Sequence, residues 1–298
     1  RVRHPRGEKS VSERQTGTPA RQLSVHDHSR DSAGLRYVYP VVSRRAGGVS
    51  VGINLNVNNA CNWACIYCQV PGLARGGPPA VDLDLLEAEL RGLLGEIVLG
   101  DYLQQHVPEG ARRLVDVAFS GNGEPTAARE FEAAVGRVAA VLAELLPGGG
   151  LPLRLISNGS LLHRPEVQRG IVQLGACGGE VWFKLDRASP AGVRAVNGVR
   201  QRPERAQEAL SLCATLAPTW VQTCYFALDG ALPSCEEQRA YLTALSSVRD
   251  KIKGVHLYGV ARPSMQPGAA RLSAAPLSEL ERFAAEIAAL GLRATVSA

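Results

Sequence analysis

Cys61-Asn62-Trp63-Ala64-Cys65-Ile66-Tyr67-Cys68 places three cysteines within eight residues, separated by three and then two residues. A loop this short can turn its three sulfur atoms toward one point. Thiolates bind soft metal centres, and structural zinc sites and iron–sulfur clusters usually take four protein ligands. No fourth cysteine lies close to these three in the sequence. The spacing is therefore typical of a cubane cluster held by three cysteines, with one iron open to another ligand.

Apolar segments alternate with amphipathic helical patterns along most of the remaining chain. Alternation predicts a first strand at 51–57, directly before the cysteines, and apolar runs predict further strands at 114–119, 153–156, 180–185, 220–226, 254–260 and 293–296. Helices are predicted at 82–99, with Asp82 as N-cap, and at 129–146, 165–174, 203–216, 235–250 and 277–290. This order predicts a parallel sheet with crossover helices, either doubly wound or curled toward a barrel.

Polar, glycine-containing segments follow the carboxyl ends of these strands, where active sites lie in parallel α/β folds. Gly121-Asn122-Gly123-Glu124-Pro125 follows the second strand, and Ser157-Asn158-Gly159 ends the third. Glycines let a backbone approach a ligand closely, and the Glu124 carboxylate can accept hydrogen bonds from an ammonium group. The alternatives are an ordinary glycine turn at 121–125 and an Asn-Gly turn at 158–159.

Lys184 is one of only four lysines in the chain, and it falls within an apolar strand. If that strand alternates, Trp182, Lys184 and Asp186 share one face. We expect Lys184 and Asp186 to form a catalytic pair inside the barrel, since a buried amine can form a Schiff base or bind a carboxylate. The alternative is a structural ion pair or a lysine at the solvent-exposed rim. On the next strand, Gln222 faces the same way as Cys224 and is expected to line the cavity.

The cysteine spacing and the aromatic Tyr67 before the last cysteine resemble the cluster loop of the radical S-adenosylmethionine (SAM) superfamily. Residues 121–125 resemble its Gly-Gly-Glu-Pro motif, with Asn122 in place of the first glycine. The resemblance implies a partial, TIM-like (β/α)6 barrel in which Cys61, Cys65 and Cys68 bind a [4Fe-4S] cluster. It also implies that SAM chelates the open iron and is cleaved reductively to a 5′-deoxyadenosyl radical.

The same resemblance implies a set of cofactor-binding residues. The stretch at 121–124 corresponds to the part that holds the SAM amino group in the family, and the end of the third strand to the part near its carboxylate and ribose. The sixth predicted strand, at 254–260, corresponds to the strand that borders the adenine in the family. The residues implied are Tyr67, Gly121, Asn122, Gly123, Glu124, Ser157, Asn158 and Tyr258.

The resemblance covers residues 36–298 and is strongest to the branch that contains the wyosine-type tRNA enzymes, which build a tricyclic base on guanosine. Members of that branch carry an additional cysteine cluster upstream of the radical SAM motif. This sequence has no cysteine before Cys61. The remaining cysteines, Cys177, Cys213, Cys224 and Cys235, are irregularly spaced, so we expect ordinary buried thiols, with a second cluster as the alternative.

The positive charge of the chain is concentrated in its first residues. Of a net charge of +5, residues 1–45 carry +6, which leaves −1 for the rest. Residues 1–34 show no hydrophobic period and predict a basic, partly disordered extension before one barrel domain at 35–298. The sequence has no apolar run long enough to cross a bilayer, and residues 1–45 lack the apolar core of a signal peptide, so we expect a cytoplasmic protein without membrane contact.

Three functions fit these observations. The first is a radical SAM enzyme acting on a small-molecule or peptide substrate, with a reductant such as flavodoxin or ferredoxin, and the nearly neutral body of the chain favours it. The second is a radical SAM enzyme that modifies tRNA, with the basic extension binding phosphates. The third is a non-enzymatic zinc or iron–sulfur scaffold at the three cysteines, whose fourth zinc ligand would come from His26, His28 or His106.

Overall fold

The computed structural model describes residues 22–24, 33–43 and 47–297, so most of the expected extension at 1–34 lies outside the described residues. The strands are β1 (Val38–Ser43), β2 (Gly48–Ile53), β3 (Ala60–Cys61), β4 (Ala74–Arg75), β5 (Leu114–Phe119), β6 (Leu153–Ser157), β7 (Glu180–Lys184), β8 (Thr219–Cys224), β9 (Phe226–Leu228), β10 (Gly254–Tyr258), β11 (Leu272–Ala274) and β12 (Ala294–Ser297). The α-helices are α1 (Leu83–Val98), α2 (Tyr102–His106), α3 (Phe131–Leu145), α4 (Pro165–Ala176), α5 (Pro190–Asn197), α6 (Pro203–Leu216), α7 (Cys235–Ser246) and α8 (Leu277–Ala288).

Eight strands form the main sheet, in the order β1-β2-β5-β6-β7-β8-β10-β12. Strand β1 pairs with β2 in antiparallel orientation, and every other neighbouring pair is parallel. Side chains from all eight strands line one cavity, so the sheet curls around it, and β1 and β12 remain at its two open edges. The fold is therefore an open half-barrel, which confirms the partial-barrel prediction over the doubly wound one.

The two faces of the sheet differ sharply because side chains alternate along each strand. The outward face is apolar and fully covered by the helices, with Phe119 of β5 packed edge-on against Phe131 of α3 at 5.8 Å between ring centroids. The inward face carries the polar residues. Burying one such aromatic side chain contributes about 1.5–3 kcal/mol to the free energy of unfolding. The helix-covered face therefore stabilises the fold, and the polar residues of the inner face are available for binding and catalysis.

The strand that leads to the cysteines was predicted at 51–57 but spans Gly48–Ile53. Directly after it, the Asn54 side chain turns the chain toward the cysteines: its Oδ1 accepts hydrogen bonds from the backbone N–H groups of Asn56 and Asn122, each at 3.1 Å. The segment before it, in which Pro40 disfavours a central strand, forms β1 at the sheet edge, where proline is tolerated.

Within the part of the chain that the structure describes, no helix has both the length and the hydropathy needed to cross a membrane.

Candidate active site

A cavity of about 330 Å³ opens at the carboxyl end of the half-barrel. It is lined by all three cysteines of the motif and by most of the other residues predicted for the site. Ser157 and Asp186 are buried and do not line it. The predicted residues that do are Cys61, Cys65, Cys68, Tyr67, Gly121, Asn122, Gly123, Glu124, Asn158, Lys184 and Tyr258.

The cysteine loop is held against the end of α5 by backbone pairing. The N–H groups of Ala64 and Ile66 donate to the carbonyls of Asn197 and Val196 at 3.0 and 2.8 Å. The Asn197 side chain adds a hydrogen bond from Nδ2 to the sulfur of Cys65 at 3.3 Å. Helix α5 therefore positions both the backbone of the loop and one of its sulfurs.

The three thiols form a donor set for a soft metal centre. Burial raises the pKa of Cys61, and it raises the pKa of Cys65 to about 12 even though the charge of Lys184 acts in the opposite direction. Such thiols lose their protons when they bind a metal, because cysteine ligates metals as the thiolate. The hydrogen bond to Cys65 and one from the Trp63 N–H to Cys61 at 3.4 Å would then stabilise thiolate charge.

Of the three histidines considered as a fourth zinc ligand, the structure describes only His106. His26 and His28 lie outside the described residues, and His106 ends α2, stacked on Tyr102 at 4.3 Å. Among residues 22–24, 33–43 and 47–297, no group of three or more His, Cys, Asp or Glu side chains is arranged to hold a single metal ion. A cubane distributes its thiolates over different irons, so it does not require the three sulfurs to converge on one ion.

Glu124 connects the carboxyl ends of β5 and β6. Its Oε1 accepts from the hydroxyls of Thr126 and Ser157 at 2.6 and 2.8 Å, and its Oε2 accepts from the Asn158 N–H at 2.7 Å. Burial raises the pKa of Glu124, and these hydrogen bonds oppose the rise. Because a carboxylate has about four acceptor positions, Oε2 can accept one more hydrogen bond from a ligand in the cavity.

The glycines beside Glu124 are required by close packing against the chain that leads into the cysteines. A Cβ at Gly123 would lie 2.2 Å from the carbonyl oxygen of Ala60, and Gly121 has a φ of +129°. Between them, Asn122 donates from Nδ2 to Asn59 at 2.6 Å, while its buried Oδ1 has no hydrogen-bond partner among the described residues. This acceptor belongs to a residue of the cavity wall, and a ligand amino group fits it.

Lys184 lies on the inner face of β7 and lines the cavity, whereas Asp186 lies past the end of the strand, is buried and does not line the cavity. The strand ends at Lys184, so its alternation does not continue to Asp186. In the described chain no ion pair within 4 Å joins the two, and Lys184 Nζ lies 3.4 Å from the Tyr258 hydroxyl and 5.0 Å from the Tyr67 ring centroid. Burial has the largest single effect and lowers the pKa of Lys184, but the negative charges of Asp186 and the groups around it together outweigh burial, so the pKa is raised and the side chain is an ammonium.

Asp186 instead ties three segments together just past the carboxyl end of β7. It accepts hydrogen bonds from the Tyr67 hydroxyl at 2.5 Å, Asn197 Nδ2 at 2.7 Å and the Cys224 N–H at 2.9 Å. These donors come from the cysteine loop, from α5 and from β8. The geometry is that of a positioning residue for the cysteine loop.

The deep end of the cavity contains charged residues that the sequence reasoning missed. Arg154 of β6 forms ion pairs with Asp116 and with Glu180 and lies over the Trp182 ring at 4.6 Å from its centroid. The signal was available, because each of these charges sits at an inward position of an otherwise apolar strand. The predicted cavity residues Gln222 and Cys224 also line the wall.

We expected all four remaining cysteines to be buried, but only two of them are. Cys213 of α6 and Cys224 of β8 are buried, whereas Cys177 and Cys235 are exposed because they lie at the end of α4 and the start of α7. These positions belong to four different elements.

No protein-family model matches the sequence. One curated relative, the GTPase Obg of Brachyspira hyodysenteriae, is 26% identical over 133 residues, which cover 45% of this chain and only 17% of that protein.

Several solved structures share the fold. A radical SAM methyltransferase from Sphaerobacter thermophilus matches with a TM-score of 0.57 at 16% identity, over 87% of this chain and 68% of that one. TYW1 with a lysine-pyruvate adduct matches with a TM-score of 0.51 at 16% identity, over 80% and 72%. Streptococcus suis SuiB bound to S-adenosylmethionine matches with a TM-score of 0.51 at 12% identity, over 85% of this chain and 47% of SuiB, so the chain spans about half of that protein. The half-barrel is therefore the fold of these solved structures, one of which is a radical SAM methyltransferase.

Proposed function

We propose that this chain is a radical SAM enzyme that acts on a small-molecule or peptide substrate. The observation that carries the proposal is the cavity at the carboxyl edge of the half-barrel, which Cys61, Cys65 and Cys68 share with Asn122 and Glu124. The likeness of the fold to solved radical SAM structures supports it.

In this proposal Cys61, Cys65 and Cys68 hold a [4Fe-4S] cluster and the cavity holds SAM. When bound, the cluster supplies the electron that cleaves SAM to the 5′-deoxyadenosyl radical, which abstracts hydrogen from the substrate. The orphaned Oδ1 of Asn122 and the Oε2 of Glu124 accept hydrogen bonds from the SAM amino group. Asn158 and Tyr258 line the same cavity and contact the rest of SAM, as does Tyr67.

The substrate occupies the part of the cavity that extends below Lys184 toward Arg154. The Lys184 ammonium attracts an anionic group of the substrate, such as a carboxylate, and holds it beside Tyr258. Arg154 is neutralised by Asp116 and Glu180 and keeps the deep wall rigid. Helices cover the apolar outer face of the sheet, so water does not reach the cavity through the sheet, and a reactive intermediate in the cavity is protected.

The test is anaerobic reconstitution with iron and sulfide, followed by addition of dithionite and SAM and detection of 5′-deoxyadenosine. We expect its formation in the wild type and its loss in C61A, C65A and C68A. Cys235→Ala is the matched control because Cys235 is exposed and remote from the motif, and it should form 5′-deoxyadenosine at the wild-type rate. A colourless protein that retains zinc and never cleaves SAM would refute the proposal.

A second candidate is a radical SAM enzyme acting on tRNA, favoured by the net charge of +6 on residues 1–45. Binding through phosphates releases counterions, so affinity for tRNA should fall steeply as salt rises, and removal of residues 1–34 should reduce the slope. Binding that does not change with salt counts against this candidate and leaves the small-molecule or peptide substrate.

A further inference from the structure

A second groove, of about 560 Å³, lies on the other side of Trp63 from the barrel cavity. Its walls come from the loop after β6, from the α5–α6 connection and from α6. Trp63, which lies between the first two cysteines of the motif and is 6% exposed, lines both the groove and the cavity. A single indole therefore separates the surface groove from the cavity that contains the cysteines.

The groove is positively charged and its charges are not neutralised. Arg200, Arg202 and Arg205 are exposed on its wall, and among the residues that the structure describes Glu208 is the one carboxylate that lines it. None of these arginines forms an ion pair within 4 Å in the described part of the chain. Other surface arginines do pair with carboxylates, namely Arg91, Arg137, Arg169, Arg271 and Arg282. The groove therefore presents three cations to a binding partner.

The floor of the groove is bonded directly to the cysteine loop. Asn62, the neighbour of Cys61, donates from Nδ2 to the Ser160 hydroxyl at 2.7 Å and accepts at Oδ1 from Asn158 Nδ2 at 2.9 Å. The same Oδ1 lies 3.9 Å from the sulfur of Cys61. Arg75 joins the Asn62 carbonyl to the carbonyl of Gly198, at the end of α5. A partner seated here would rest on a rigid surface next to the sulfur ligands.

We propose that this groove docks a small acidic electron-transfer protein, carrying a flavin or an iron–sulfur centre, that reduces the cluster. The inference rests on the proposed function. The reduced donor loses one electron and the oxidised [4Fe-4S] cluster gains it, and no bond or proton is exchanged. An acidic surface complements the three arginines, and the groove brings the donor against Asn62 and Trp63, which directly follow Cys61 in the cysteine loop.

The test measures the affinity of an acidic flavodoxin for the full chain, with and without reconstituted cluster, at low and at physiological salt. In R200E/R202E/R205E the affinity at low salt should fall by about tenfold or more, because three attractive charges become repulsive. The matched control is R249E/K253E/R293E, which makes the same charge change at exposed positions in the connections from α7 to β10 and from α8 to β12, none of which lines the groove. The control should bind within about twofold of the wild type.

Formation of 5′-deoxyadenosine with dithionite separates this inference from the proposed function, because a small chemical reductant needs no docking surface. Both triple variants should retain it. If the wild type forms none, the proposed function fails. If the wild type forms it but flavodoxin binds the variant and the wild type equally, or binds neither, the docking inference fails. Loss of tRNA affinity with flavodoxin affinity unchanged would also overturn it. Should the triple variant not fold, R202E and R205E singly give the same test.

Discussion

Tyr67→Phe tests whether Asp186 is the buried anchor of the cysteine loop. Asp186 is 3% exposed, and the Tyr67 hydroxyl is one of three donors to its carboxylate, at 2.5 Å. A hydrogen bond to a buried charged group contributes about 1.5–3 kcal/mol. Removing it should therefore lower the free energy of unfolding of the metal-free protein by about 2 kcal/mol. The measurement is urea unfolding under reducing conditions.

A double-mutant cycle with Asp186→Asn isolates the interaction. The amide keeps the size of the side chain but carries no charge and one acceptor fewer, so the hydroxyl of Tyr67 gains little from it. The two substitutions should therefore be less than additive, with a coupling energy of about 1–2 kcal/mol. Tyr241→Phe is a matched control, since its buried hydroxyl contacts only the neutral Thr223 hydroxyl among the hydrogen bonds described, and it should cost about 1 kcal/mol. Additivity within about 0.5 kcal/mol, or an unchanged stability of Tyr67→Phe, would refute the anchor role.

Three further outcomes follow from the packing of the site. Gly123→Ala should lower the thermal midpoint and the iron content, because a Cβ there would lie 2.2 Å from a backbone oxygen. The control Gly92→Ala in α1 places its Cβ in open space and should raise the free energy of unfolding by about 0.5–1 kcal/mol. Equal thermal midpoints of the two variants would contradict the prediction. Lys184→Met should lower the free energy of unfolding by about 1–3 kcal/mol, because the buried Asp186 carboxylate loses the ammonium whose charge opposes its own. It should also abolish substrate turnover while SAM cleavage persists, and lost cleavage would assign Lys184 to the cofactor instead. Cys65→Ser should halt retention of a four-iron cluster, measured as iron per chain, while Cys235→Ser retains it; full iron in the first variant would remove Cys65 from the ligand set.

The repeating part of the fold could be predicted from the sequence because each element has its own hydrophobic period. Helix α6 and strand β5 span the predicted residues, and Asp82 caps α1 by accepting from the Leu85 N–H. Helix α5 was not predicted. It has only eight residues, and its glycine and asparagine weaken the helical pattern. Strand β1 has a sheet partner on one side only, and no local pattern distinguishes such an edge strand from an ordered loop.

The site could be predicted where its functional residues lie close together in the sequence, as at Cys61–Cys68 and Gly121–Pro125. It was not predictable where two distant residues meet: Asn197 contacts Cys65 across 132 positions, and neither residue by itself indicates the other. The hydrogen-bond partners of Asp186 could not be predicted for a similar reason. Alternation was extended past the last residue of β7, and only the position of α5 and β8 determines where a side chain beyond that end points.

The hydrogen bonds around α5 explain why so short a helix matters to the cysteines. Glu237 of α7 accepts from the N–H groups of Ala188 and Ser189 at 2.7 and 3.1 Å, which places a carboxylate at the amino end of α5. At the other end of the helix, Asn197 holds the cysteine loop and Asp186. The loop therefore takes its shape from a helix that is fixed at both ends by buried polar contacts. The residues that hold the loop are different from the charged residues that face solvent. The three sulfurs can therefore stay in place while the groove beside them binds a partner.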